Sequence, residues 1–88
     1  MRSFLTYSQL GKLLLDLGFT DESGTHLVFR HPIPSALVRM AYHEPDEPVL
    51  ERDVVMVGTL LRLNGLMERD AFEQWVVDQK RQHEVAAG

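Results

Sequence analysis

Leu10, Leu13, Leu14 and Leu17 recur at the spacing of a single helical face. Thr6 precedes this stripe and Gln9 follows Thr6 by three residues, the pattern of a capping box. Gly18 stands where a helix commonly ends in a left-handed residue. Together these predict a first helix from about Tyr7 to Leu17. Phe19 to Ser23 is short and polar, with room for a brief first strand. Thr25 to Arg30 is rich in β-branched and aromatic residues and predicts a second strand. Alternation sets Thr25, Leu27 and Phe29 on one face and His26, Val28 and Arg30 on the other. Pro32 and Pro34 break the strand, and Ile33-Pro34-Ser35 makes a turn. Leu37 to Tyr42 reads as the returning strand, antiparallel because a parallel return needs a far longer crossover.

Beyond the sheet, Val54, Val57, Leu60 and Leu61 form the buried stripe of a second helix, from Asp53 to Asn64, which Gly65 stops. Phe72, Trp75, Val76 and Gln79 line one side of a third helix, from about Arg69 to Gln82. Glu68 and Asp70 at its start, and Lys80, Arg81 and His83 at its end, suit the helix dipole. Val85 to Gly88 reads as a frayed tail. The predicted order is α-β-β-β-α-α, an α+β domain whose three-stranded antiparallel sheet has one face covered by helices and one open.

The chain has 88 residues, enough for one core and one domain. The absence of cysteine removes disulfides, thiolate metal sites and cysteine nucleophiles, and fits a cytoplasmic protein. No apolar run approaches the length of a membrane span, and Met1-Arg2-Ser3-Phe4-Leu5 does not read as a signal peptide. The formal net charge of −4 bears on partners. Nucleic-acid affinity comes largely from lysine and arginine on phosphate, so an acidic chain needs a local basic patch to bind RNA.

The candidate chemistry lies in four histidines, the side chain best placed to move protons near neutral pH. His26 follows a Gly-Thr step at the start of a strand and faces away from Leu27 and Phe29. Pattern alone leaves it either an exposed strand histidine or a general acid/base. His31 precedes Pro32 and marks a strand end. His43 follows the third strand and faces the acidic loop Glu44-Pro45-Asp46-Glu47-Pro48, either near His26 or solvated. His26, His43, Glu44 and Asp46 are metal-binding residue types, but they lack the tight paired spacing of structural zinc. The chain has no phosphate-binding loop, and neither Ser23 nor Ser35 sits in a nucleophile elbow. No metal and no cofactor is expected.

Taken in order, these segments resemble the HicA family of toxins. The family's Leu-x-x-x-Gly-aromatic step is matched by Leu14-Leu15-Asp16-Leu17-Gly18-Phe19. Its Gly-Ser/Thr-His hairpin, with a strand ending near Arg-His-Pro, is matched by Gly24-Thr25-His26 and Arg30-His31-Pro32. Its third-strand histidine corresponds to His43, and its helix ending in Gly plus an aliphatic corresponds to Leu60 through Leu66. The resemblance runs from Thr6 to Leu66. It implies a double-stranded-RNA-binding-domain-like fold over residues 1–66, with residues 67–88 adding a helix and tail on the same domain. It also implies metal-independent cleavage of messenger RNA and inhibition by a HicB-like antitoxin. The family's essential hairpin histidine carries over to His26. Strand geometry, rather than the family, suggests Arg30 and Arg39 as RNA contacts, and Thr25 of the hairpin step is a further RNA-binding candidate. Family members are usually basic, whereas this chain is acidic and its third-strand loop carries acids where lysines are common. The alternative is a catalytically weak or inactive module for protein binding, with homodimerisation through the Phe72 and Trp75 helix. A metal-dependent hydrolase is the third reading.

Overall fold

The computed structural model describes the backbone of residues 4–87 and the side chains of residues 4–81. Its elements are α1 (Tyr7–Asp16), β1 (Thr20–Asp21), β2 (His26–His31), β3 (Ala36–Ala41), α2 (Glu51–Leu63) and α3 (Arg69–Ala87). The strands form one antiparallel sheet in the order β1-β2-β3. The described residues thus form an α+β domain of three strands and three helices.

The start of α1 shows why it forms where it does. The first amides of any helix lack partners within it. Here the Thr6 side chain accepts from the Gln9 amide, and the Gln9 side chain accepts from the Thr6 amide, which completes the capping box. Tyr7 N–H donates to the Glu47 carbonyl at 3.2 Å and Ser8 N–H to the Pro45 carbonyl at 2.8 Å. The loop after β3 therefore straps the first turn, and a lone bridge between Thr6 and Pro48 continues the contact. At the other end Gly18 takes φ +101°, the left-handed conformation that ends the helix without a Cβ penalty.

The alternation read from the strand sequences holds. Phe29 and His31 on β2, and Ala36, Val38 and Met40 on β3, are buried beneath the helices. They meet Leu10, Leu13 and Leu14 of α1 and Val57 and Leu61 of α2 in one core. Gly11 lets α1 settle onto the sheet, since a Cβ there would lie 3.2 Å from the Phe29 ring. Helix α3 packs on α2, where Gly58 admits the Phe72 ring so closely that a Cβ would lie 2.8 Å from it. Phe72 and Val76 thereby join the chain's own core, and Trp75 packs half-buried against it.

Two helix boundaries differ from the sequence reading by more than one residue. Helix α2 begins at Glu51, two residues before Asp53, with Leu50 as an N-cap that makes no side-chain bond. Helix α3 runs to Ala87, so Lys80 and Arg81 lie within it and not at its last turn. The side chain of His83 and the terminal Gly88 lie outside the described residues, as do Met1 to Ser3. No helix among the described residues is long and apolar enough to cross a membrane.

Candidate functional site

The open face of the sheet carries His26, Val28 and Arg30 from β2 and Leu37, Arg39 and Ala41 from β3. Register places His26 opposite Ala41, Val28 opposite Arg39 and Arg30 opposite Leu37. Directly opposed residues of an antiparallel pair share a face, and diagonal neighbours stand roughly 7–8 Å apart. Arg39 therefore lies diagonally between His26 and Arg30. The sheet brings three of the four residues suggested by the sequence onto one surface.

His26 opens β2 just after a tight turn in which Gly24 N–H donates to the His26 carbonyl at 2.9 Å. Its ring is partly exposed, and the small Ala41 across the ladder leaves space beside it. Thr25, the fourth suggested residue, puts its hydroxyl 3.3 Å from His26 Nδ1. A hydroxyl both donates and accepts, so it serves either neutral tautomer. Nε2 of His26 has no hydrogen-bond partner among the described residues. Such an exposed nitrogen, beside a hydroxyl and a cation, is equipped to take a proton from a bound alcohol.

The two arginines differ. Arg30 Nε lies 3.0 Å from a carboxylate oxygen of Glu22, an ion pair with both side chains well exposed. Exposed pairs of this kind contribute about 0–1 kcal/mol, so a phosphate can displace the carboxylate. Arg39 makes no hydrogen bond or ion pair among the described residues.

The other histidines sit elsewhere. His31, 8% exposed, has Nδ1 2.9 Å from the Pro34 carbonyl and Nε2 3.2 Å from the Leu17 carbonyl. It ties the end of α1 to the β2–β3 turn. His43 neither joins His26 nor stands in solvent. Its ring stacks on Tyr7 with centroids 4.4 Å apart and planes 3° from parallel. Its Nδ1 lies 2.8 Å from a Glu47 carboxylate oxygen, while its Nε2 is buried with no partner among the described residues. The ring borders a cleft between α1 and the sheet, floored by Leu27, Phe29 and Met40, on the face that His26 leaves behind.

The acidic loop is likewise occupied structurally. Its backbone caps α1, and Glu47 holds His43. Among the described residues no three His, Asp or Glu side chains converge to hold a metal ion, so His26, His43, Glu44 and Asp46 do not form a site.

One polar pair has no counterpart in the sequence reading. Tyr7 donates its hydroxyl to the Asp53 carboxylate at 2.6 Å and accepts from Leu50 N–H at 3.2 Å. Burial, then the Asp53 hydrogen bond, pushes the Tyr7 phenol up to about 12. Tyr42 is also raised, chiefly by the negative charge of Glu44. Compared with known proteins, the chain matches no family model, no curated protein and no solved structure.

Proposed function

We propose that this chain is a HicA-like toxin, a metal-independent endoribonuclease that cleaves messenger RNA on a double-stranded-RNA-binding-domain-like fold and is held in check by a HicB-like antitoxin. One observation carries the reading. The Gly24-Thr25-His26 step puts His26 on the open face of the sheet, diagonal to Arg39, which has no ion-pair partner among the described residues.

The chemistry needs nothing the chain lacks. An RNA strand lies across the open face with a phosphate against Arg39, and Arg30 turns from Glu22 to the same backbone. His26 Nε2 takes the proton from the neighbouring 2′-hydroxyl. The 2′-oxygen attacks phosphorus, forming a 2′,3′-cyclic phosphate. The 5′-oxygen leaves and takes a proton, from the imidazolium or from water, to become a 5′-hydroxyl. Thr25 orients the ring through Nδ1.

The test is cleavage of a defined RNA by the purified chain in excess chelator. The wild type should yield 2′,3′-cyclic phosphate ends. His26→Ala should lower the rate by about 10²–10⁴-fold, the usual worth of a positioned acid or base. Growth should stop on expression of the wild type and resume with His26→Ala. A harmless wild-type chain that cuts no RNA sinks the proposal, as does a His26→Ala variant cutting at the wild-type rate.

One observation favours the second reading, a catalytically weak protein-binding or dimerisation module. Glu22 already neutralises Arg30 on a chain of net charge −4. In that case light scattering finds a dimer or a stable complex while RNA stays intact.

A further inference from the structure

The two edges of the sheet are not alike. The β1 edge is guarded: it is two residues long, and acidic Asp21 and Glu22 stand at its end. The β3 edge runs for six residues, Ala36–Ala41, with no proline and a single charge. Sheet proteins ordinarily blunt an edge of that length with a bulge, a proline or several charges.

Backbone direction shows what this edge offers. Glu22 N–H donates to the Val28 carbonyl at 2.8 Å, and Gly24 N–H donates to the His26 carbonyl. His26, Val28 and Arg30 therefore turn their peptide groups toward β1, and Leu27, Phe29 and His31 turn theirs toward β3. By register, Met40, Val38 and Ala36 answer them. Leu37, Arg39 and Ala41 must then direct N–H and C=O outward. Among the described residues no hydrogen bond reaches these outward groups. Their side chains stand on the open face, where Leu37 is 43% exposed.

We infer that β3 is a docking edge for an extended segment of a partner protein, which adds antiparallel as a fourth strand. The segment carries an acidic residue opposite Arg39, a β-branched residue opposite Ala41 and an apolar one opposite Leu37. Charge selects this occupant over a second copy of the chain. The two-fold antiparallel register that uses all three outward residues pairs 37 with 41 and sets Arg39 against Arg39 of the other copy. Like charges directly opposed destabilise a ladder, and an acid there stabilises it. Main-chain bonds supply affinity and alternate side chains supply selectivity, as in strand addition generally. The edge acts in this way whether or not His26 cleaves RNA.

The probe is a blocked peptide, Lys-Val-Thr-Val-Glu-Val-Val-Thr-Lys, added to isotope-labelled whole chain and followed by NMR. Binding should slow amide exchange of Leu37, Arg39 and Ala41 by about tenfold or more, with other β3 amides unchanged. N-methylation of the peptide's Glu should abolish this. Lys in place of that Glu should weaken binding about threefold to fivefold, and Arg39→Glu should reverse the preference. Arg39→Glu changes an exposed side chain, so the fold survives it. Three results overturn the inference: no effect at about 1 mM peptide, indifference to the charge swap, or protection of the three amides that grows with protein concentration alone.

Discussion

Tyr7 and Asp53 stand 46 residues apart and meet at 2.6 Å. Removing the hydroxyl in Tyr7→Phe leaves the 8%-exposed Asp53 carboxylate and the Leu50 amide short of a partner. The variant should lose roughly 1–3 kcal/mol in urea unfolding. Burial of the phenol, reinforced by that bond, makes stability depend on alkaline pH. The unfolded chain releases the phenol proton near 10 and the folded chain near 12, so between those values the unfolded state holds fewer protons. Stability should therefore fall as pH rises from 10 toward 12, and the fall should be shallower in Tyr7→Phe. An identical pH profile in the two proteins would contradict this. Nothing in the local sequence announces the pair, because a tyrosine in one helix and an aspartate in another carry no spacing signal. His31 was legible only as a strand end; the alternation stopped at Phe29, one step short of the position that sets its ring on the core face against the Leu17 and Pro34 carbonyls.

At the scale of elements, α2 and α3 depend on one missing side chain. A Cβ at Gly58 would lie 2.8 Å from the Phe72 ring, and that ring is buried. Gly58→Ala should push the helices apart and lower stability by about 1–3 kcal/mol, despite alanine's better helix propensity. A stabilised variant in thermal unfolding would refute this account of the packing. Gly18→Ala belongs to the same scale, since it meets a strained φ of +101° and a contact of 3.2 Å with His31 Nε2. Local signals served well where partners are neighbours. The capping box of α1 needs only Thr6 and Gln9, and the strand faces need only period two. They served poorly for the start of α2, where Leu50 makes no side-chain cap and the packing of Tyr7 on Asp53 fixes the first turn instead.

For the whole molecule, charge placement matters more than charge total. In the 44–48 loop the Glu47 carboxylate holds His43 and the Pro45 and Glu47 carbonyls cap α1, while Arg30 and Arg39 put their guanidiniums on the open face. If RNA is held there by about two phosphate contacts, the binding slope against salt is about −1.4 for a single strand. Affinity should then fall only about sevenfold between roughly 50 and 200 mM salt. Fluorescence anisotropy checks this, and a slope steeper than about −3 would require cations on other faces. The position of His26 on the face away from the helices was legible from alternation. Its diagonal to Arg39 was not, because it depends on the register that the four-residue turn sets.

The strap over α1 has a kinetic consequence. In most helices the amide protons of the first turn exchange with solvent nearly as fast as in a random chain. Those of Tyr7 and Ser8 bond to Glu47 and Pro45, far along the sequence. They can exchange only when that loop lifts away. Two protons at the beginning of the chain thus become a clock for an opening event in its middle, and their protection should approach that of the core strands.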